Sequence, residues 1–143
     1  LRAQTLRWRR AGSLSHRAGR SGRGIAQLSS LIDEQPADAV YQQAIWQRGA
    51  LHERAQQLEA AFEDYCKFVQ SQSGDQQTTM AMTRLVDVSY RLKRFAVSAN
   101  WASQLLGLPH LEPSIEEEAL YRRALAFNRL DEPKLALADL RTL

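Results

Sequence analysis

Apolar residues recur along this chain at intervals of three and four positions, which predicts amphipathic helices rather than strands. The clearest stretch reads Ile45-x2-Arg48-Gly49-x2-His52, then Ala61-x3-Tyr65-x2-Phe68. Each half places a stripe of packing residues on one side of a helix. Small residues twelve positions apart, Gly49 and Ala61, would let the two helices approach closely. The stretch therefore predicts a helical hairpin.

The same spacing returns elsewhere, so the chain contains an internal repeat. Another copy reads Leu120-x2-Arg123-Ala124-x2-Phe127, then Ala136-x3-Leu140-x2-Leu143. Residues 82–105 keep the spacing with Ser89, Ser98 and Ala102 at packing positions, and residues 8–31 keep it with Ser15 and Gly24. As 34-residue units, the copies begin at Thr5, Gln42, Thr79 and Glu117, with offsets of 37, 37 and 38. We expect one domain of four hairpins, at 5–38 (degenerate), 42–75, 79–112 and 117–143 (truncated).

Helix-start signals support these boundaries. Ser114 and Glu117 form a Ser-x-x-Glu capping box, which predicts the start of the fourth unit's first helix. Asp131 is placed to cap the following helix, with Pro133 in its first turn, where a missing N–H does no harm.

The repeat resembles the tetratricopeptide repeat, W-x2-L-G-x2-Y-x8-A-x3-F-x2-A-x4-P, over residues 5–143. The resemblance implies an all-α, right-handed superhelical solenoid that binds proteins and is not an enzyme. The long period is similar to that of bacterial envelope scaffolds, such as the BamD-type lipoprotein, Tol-Pal accessory proteins and exopolysaccharide-export subunits. It implies a scaffold in a Gram-negative periplasm or cell envelope, within assembly or secretion machinery. The last unit stops in mid-helix, so we expect a fragment of a longer array.

The resemblance also implies a concave groove lined by positions 2, 5, 9, 12 and 13 of each unit. Position 13 is arginine in all four units: Arg17, Arg54, Arg91 and Arg129. The other expected groove residues are Trp46, Tyr90, Tyr121, His16, Glu53, Asp87 and Asn128. Aromatic residues and arginine are common anchors of protein interfaces, so the groove is predicted to hold an acidic segment of a partner protein.

The arginines at position 13 also have an explanation that needs no partner. A cation near the C-terminal end of a helix interacts favourably with the helix dipole. Glu53 and Asp87 could pair with neighbouring arginines, which would leave a neutral, solvated surface. Both interpretations remain open from the sequence.

Charge is distributed unevenly along the chain, whose formal net charge is +3. Residues 1–32 carry seven arginines and no acidic residue, and the remainder has a net charge of −4. A basic first hairpin explains this asymmetry, as does the tail of a mitochondrial targeting sequence. The alternative function is a cytoplasmic adaptor whose basic first repeat contacts nucleic acid or anionic membrane.

The sequence offers no recognisable catalytic or cofactor chemistry, so no cofactor, metal or small-molecule substrate is predicted. Cys66 is the only cysteine, and no His or Asp is placed to activate it. His16, His52 and His110 lack the spacing of metal ligands. No apolar run reaches the ~18 residues of a membrane span. Trp101 is expected in the core of the third unit.

Overall fold

The computed structural model describes residues 19–71 and 76–143. These residues contain α-helices and short connections, without any strand. The first described helix, α1, covers residues 19–33. The others are α2 (Asp38–Arg54), α3 (Leu58–Gln70), α4 (Gln76–Arg91), α5 (Phe95–Leu106), α6 (Pro113–Arg129) and α7 (Pro133–Thr142). For residues 19–71 and 76–143, the predicted all-α class is confirmed. The part of the first predicted unit before residue 19, with Arg17 and His16, lies outside the described residues.

Three turns join a long helix to the next helix with the same backbone geometry. In each, a residue with positive φ follows the helix end: Gln56 (60°), Lys93 (60°) and Asp131 (58°). The next amide donates to a carbonyl five residues earlier, as in Gln57 to His52, Arg94 to Ser89 and Glu132 to Phe127, each at 2.9 Å. This is the Schellman termination of a helix. The three residues with positive φ are 37 and 38 positions apart, which are spacings that the sequence repeat also has.

Two predictions about helix starts are wrong. Asp131 ends α6 with a positive φ of 58° and does not cap α7, whose N-cap is Glu132. Ser114 does not open α6 either, because the helix begins one residue earlier at Pro113, with Glu112 as its N-cap and no side-chain cap. A proline at the first helical position has a fixed φ that suits this site. The prediction of Pro133 in the first turn of α7 is confirmed.

Contacts divide the chain into two units, Leu1–Ala61 and Phe62–Leu143. In the first unit, Gly24 of α1 lies against Leu51 of α2, and an added Cβ would stand 2.7 Å from the Leu51 Cδ1 atom. Arg48 also donates from Nη1 to the Ser29 hydroxyl at 3.2 Å. The lack of a side chain at Gly24 therefore permits the close approach of α1 and α2.

In the second unit, helices pack against their neighbours in chain order. α5 packs against α4 and α6, α6 packs against α7, and α4 also contacts α6. Met82, Leu105 and Ala119 from three successive helices form one buried cluster, with Trp101 packed against it. Ala81 and Ala102 are completely buried, which keeps the helix axes close. Consecutive packing is thus established within this unit.

The two serines at packing positions of the third predicted repeat are buried without loss of hydrogen bonding. Ser98 of α5 donates from Oγ to the Val86 carbonyl of α4 at 2.8 Å. Ser89 donates to the Leu85 carbonyl one turn earlier. Because each hydroxyl has a backbone acceptor, these positions tolerate polar residues in the core.

Candidate functional site

The candidate site is the outer side of α4 and α6, which we call the A-face and define by Met80, Asp87, Tyr90, Arg91, Tyr121, Arg122 and Arg129. These two helices are the first helices of successive hairpins and contact one another. Their outward residues therefore lie on neighbouring elements of one compact unit. Four residues predicted from the groove positions, Asp87, Tyr90, Arg91 and Arg129, make defined contacts here.

Asp87 is the centre of an ion-pair network on the A-face. Its Oδ1 accepts from Arg122 Nη1 at 2.5 Å, which links α4 to α6, and its Oδ2 lies 3.6 Å from Arg91 Nη1. Arg122 also pairs through Nε with Glu118 at 3.0 Å. The charges of Arg91 and Arg122 are therefore shared with two carboxylates. This arrangement agrees with the interpretation in which Asp87 neutralises part of the arginine row.

Arg129 has a different environment from Arg91. Its guanidinium lies over the Phe95 ring, 5.7 Å from the centroid. Tyr90 packs edge-on against the same ring with centroids 5.2 Å apart. A guanidinium over an aromatic face is attracted by the negative charge density of the ring. Among the described residues, Arg129 contacts this ring instead of a carboxylate, so it is the A-face cation best placed for an acidic group.

Two large side chains extend from the A-face into solvent. Tyr121 is 51% exposed and Met80 is 46% exposed. Asn128, also predicted for the groove, is exposed near the end of α6. Amphipathic and flexible apolar side chains of this kind offer contact area to a partner.

The remaining predicted site residues belong to the first unit and are described separately. Trp46 and Glu53 are half-buried on α2. Arg54 is exposed at the last residue of the same helix.

A second network is structural rather than part of the A-face. Arg123 of α6 donates from Nε to Asp139 Oδ2 at 2.8 Å and from Nη2 to Oδ1 at 2.5 Å. Its Nη1 donates to the Ser103 hydroxyl of α5 at 3.1 Å. Asp139 is buried, and its hydrogen bond raises the pKa of Arg123. Arg123 therefore connects α5, α6 and α7 through its hydrogen bonds to Ser103 and Asp139.

The thiol of Cys66 is unsuited to nucleophilic chemistry at neutral pH. Burial, with the nearby charge of Glu63 as a second cause, raises the pKa of Cys66 to about 11. The thiolate is the reactive form, so the side chain stays protonated and weakly reactive. In residues 19–71 and 76–143, no group of His, Cys, Asp or Glu is arranged to hold a metal ion.

Two residues important to the A-face were not predicted. Arg122 stands one position after the predicted Tyr121, and its link to Asp87 spans 35 residues of sequence. Phe95 lies at the start of a second helix, whereas only first helices were assigned to the groove. The i,i+4 pairing of Glu118 and Arg122 was the sequence signal that could have identified Arg122.

No protein-family model, curated protein or solved structure matches this chain. Within the described parts of the chain, none of the helices has the length and apolar character needed to span a membrane.

Proposed function

We propose that this chain is a non-catalytic scaffold of tetratricopeptide-like hairpins whose A-face binds an acidic segment of a partner protein. The observation that supports this most strongly is the repeated backbone turn at Gln56, Lys93 and Asp131, combined with consecutive packing of α4 to α7. The turns at Lys93 and Asp131 each follow a first helix and join it to a second helix that packs against it. Stacking of such hairpins aligns the first helices side by side and creates an extended surface for another molecule.

The chemistry of the A-face favours an acidic partner over a neutral one. Its defined ion pairs involve Arg91 and Arg122 with Asp87 and Glu118, and Arg129 adds a further cation over the Phe95 ring. A partner carboxylate can form paired hydrogen bonds with a planar guanidinium. Tyr121 and Met80 supply apolar contact beside these charges.

We further propose a setting in the periplasm or cell envelope of a Gram-negative bacterium, as part of an assembly or export apparatus. The support is the period of 37–38 residues, which the turn positions repeat and which is similar to that of envelope scaffolds.

A second candidate is a cytoplasmic adaptor that contacts nucleic acid or anionic membrane through its basic first repeat. The observation in its favour is that Arg20 and Arg23 are exposed on α1, and the sequence has five further arginines in residues 1–17. Salt-dependent binding to DNA or anionic vesicles, lost on neutralising Arg7, Arg9 and Arg10, would support it.

The test of the A-face uses affinity capture with matched variants. The baits are wild-type protein, a Tyr121→Ser/Arg129→Glu variant and a control, Lys67→Glu, at an exposed lysine of α3. Each is immobilised and exposed to extract from the source cells. We expect a protein that is retained by the wild type and the control and lost from the A-face variant. An acidic peptide from that protein should compete for binding. Equal capture by all three baits, or no competition by acidic peptides, would contradict the proposal.

A further inference from the structure

Two contacts show that α4 and α6 run in the same direction. Met82 of α4 shares a buried cluster with Ala119 of α6. Further along both helices, Asp87 pairs with Arg122. Because the residue numbers of both helices increase from the first contact to the second, the helices are parallel. The A-face therefore has two different ends, one where both helices begin and one where both helices end.

The ion pairs of the A-face form a row of four charges that alternate in sign. Arg91 pairs with Asp87, and Asp87 pairs with Arg122 on the neighbouring helix. Arg122 in turn pairs with Glu118, which lies one turn nearer the start of α6. The row thus has a cation at the end where α4 stops and a carboxylate at the end where α6 starts.

Both ends of this row can accept a further charge from outside. The Arg91 side chain is 34% exposed and the Glu118 side chain is 48% exposed. Arg129, the last residue of α6, adds a second cation at the end where Arg91 lies. We call Arg91 and Arg129 the basic end, and Glu118 the acidic end. The charged residues of the turns beyond the basic end cancel in formal charge: Lys93, Arg94, Asp131 and Glu132.

An apolar contact lies between the two ends. Tyr121, which is 51% exposed, is eight residues before Arg129 and three residues after Glu118. At a rise of about 1.5 Å per residue, these separations are about 12 Å and about 4.5 Å along the helix axis. An extended chain covers the first distance with about four residues and the second with about one. The positions of charged and apolar residues in a bound segment follow from these distances.

Charge also determines the direction of a bound segment. A segment with carboxylates at the basic end and a cation at the acidic end continues the alternation, so it is attracted at both ends. The opposite direction places like charges together at both ends. Two adjacent acidic residues suit the basic end, because successive side chains of an extended chain point to opposite sides and can reach arginines on both helices.

The two arginines of the basic end favour a separate polypeptide over segments of this chain. Residues 1–18, which lie outside the described residues, contain five arginines and no acidic residue, so they offer no carboxylate side chain. A second copy turned end to end would bring Glu118 to only one of Arg91 and Arg129, since α4 has no acidic residue in its first turn. A partner segment with two acidic residues matches both arginines.

We propose that the A-face fixes the direction of the segment it binds, an inference that rests on the proposed binding of an acidic partner. The segment has the pattern Glu-Glu-x-x-Leu-Lys. Its glutamates contact the basic end, its leucine packs on Tyr121, and its lysine pairs with Glu118.

A nitroxide label on a synthetic peptide tests the direction. The peptide Glu-Glu-Ser-Ser-Leu-Lys carries the label at its glutamate end or at its lysine end, and it is added to ¹⁵N-labelled protein. With the label at the glutamate end, we expect the amide signals of Arg91 and Arg129 to broaden more than those of Met80 and Glu118. Moving the label to the lysine end should reverse this order.

A matched pair of variants tests the acidic end separately. Glu118→Gln should weaken binding of the unlabelled peptide roughly threefold in a chemical-shift titration, which is the size expected for an exposed ion pair. Glu117→Gln is the control, since it removes an exposed carboxylate from the adjacent residue, and it should leave the affinity unchanged. A peptide with glutamine in place of lysine should bind both variants and the wild type equally.

The possible failures of this proposal can be told apart. Equal broadening from the two labels, or the opposite order, disproves the direction and leaves the acidic-partner function standing. Equal effects of Glu118→Gln and Glu117→Gln contradict the pairing at the acidic end. Absence of any peptide binding contradicts both proposals. A wild-type dimer, detected by sedimentation and dissociated by Arg129→Glu, would place a second copy on the A-face and also contradict this inference.

Discussion

At the scale of single residues, the hairpin turns place ordinary side chains in a conformation that favours glycine. Gln56, Lys93 and Asp131 all have φ between 58° and 60°. The left-handed conformation is about 1 kcal/mol less favourable for a residue with a Cβ, because the Cβ approaches the following carbonyl oxygen. The turns therefore store a small, local strain that the packed helices on either side maintain.

Lys93→Gly is expected to stabilise the protein by about 0.5–1 kcal/mol, because glycine adopts this φ without steric cost. Urea denaturation measures the change in the free energy of unfolding. Lys67→Gly is the matched control, since Lys67 is an exposed lysine inside α3, and it should destabilise by about 1 kcal/mol. Destabilisation by both variants would show that Lys93 does not have the observed backbone conformation.

Cys66 should react slowly with alkylating reagents at neutral pH. Because burial, with the charge of Glu63 as a second cause, raises the pKa of its thiol to about 11, the thiolate forms at a higher pH than in an exposed cysteine. The rate of iodoacetamide modification, followed by mass spectrometry, should rise through a midpoint near pH 11. Protein unfolded in urea provides the reference, and its midpoint should lie at a lower pH because the thiol is then exposed to solvent. Coincident profiles would contradict the buried environment.

At the scale of elements, the second and fourth predicted repeats have an arginine and an aspartate at the same two positions, where the third has apolar residues. Arg123 and Asp139 are 16 positions apart and form the buried pair between α6 and α7. Arg48 and Asp64 have the same separation in the second repeat, whereas the third has Leu85 and Trp101. We infer that these two positions can hold either an ion pair or two apolar side chains, provided that both residues change together.

Asp139→Ala is expected to destabilise the protein by about 2–4 kcal/mol, because it leaves the partly buried Arg123 without its carboxylate. The double variant Arg123→Leu/Asp139→Leu, which imitates the apolar pair of the third repeat, should recover at least half of that loss. Thermal or urea unfolding of the single and double variants gives the comparison. A double variant as unstable as the single variant would show that the ion pair itself, rather than satisfied packing, is required.

Trp101→Ala should destabilise the protein by roughly 3 kcal/mol. Trp101 is partly buried and packs against the cluster of Met82, Leu105 and Ala119, which agrees with its predicted place in the core. Trp46→Ala offers a comparison at a half-buried tryptophan of α2. An unchanged unfolding midpoint for Trp101→Ala would instead mark an exposed aromatic on the surface.

The sequence predicted the helices better than it predicted their first and last residues or the contacts between residues far apart in the sequence. Apolar spacing identified the helices because packing stripes such as Ile45 and Gly49 follow helical periodicity. The start of α6 was misplaced because a proline at the first position replaced the expected side-chain cap. The Asp87–Arg122 link escaped prediction because it depends on the lateral alignment of two helices, which no local pattern encodes.

At the scale of the whole molecule, the right-handed solenoid remains a prediction, and consecutive packing of α4 to α7 is its established part. Hairpins that contact only their neighbours keep the outer sides of their first helices available. A closed bundle of four helices would instead bury those sides against the last helix. The availability of the A-face depends on this distinction.

Methyl–methyl nuclear Overhauser effects in the isotope-labelled protein test the packing order most directly. The account predicts cross-peaks from Met82 of α4 to Leu105 of α5 and Ala119 of α6, which form one cluster in the structure. It also predicts that Leu137 and Leu140 of α7 show none to α4. Cross-peaks joining those leucines to Met82 or Val86 would reveal a closed bundle and contradict the account.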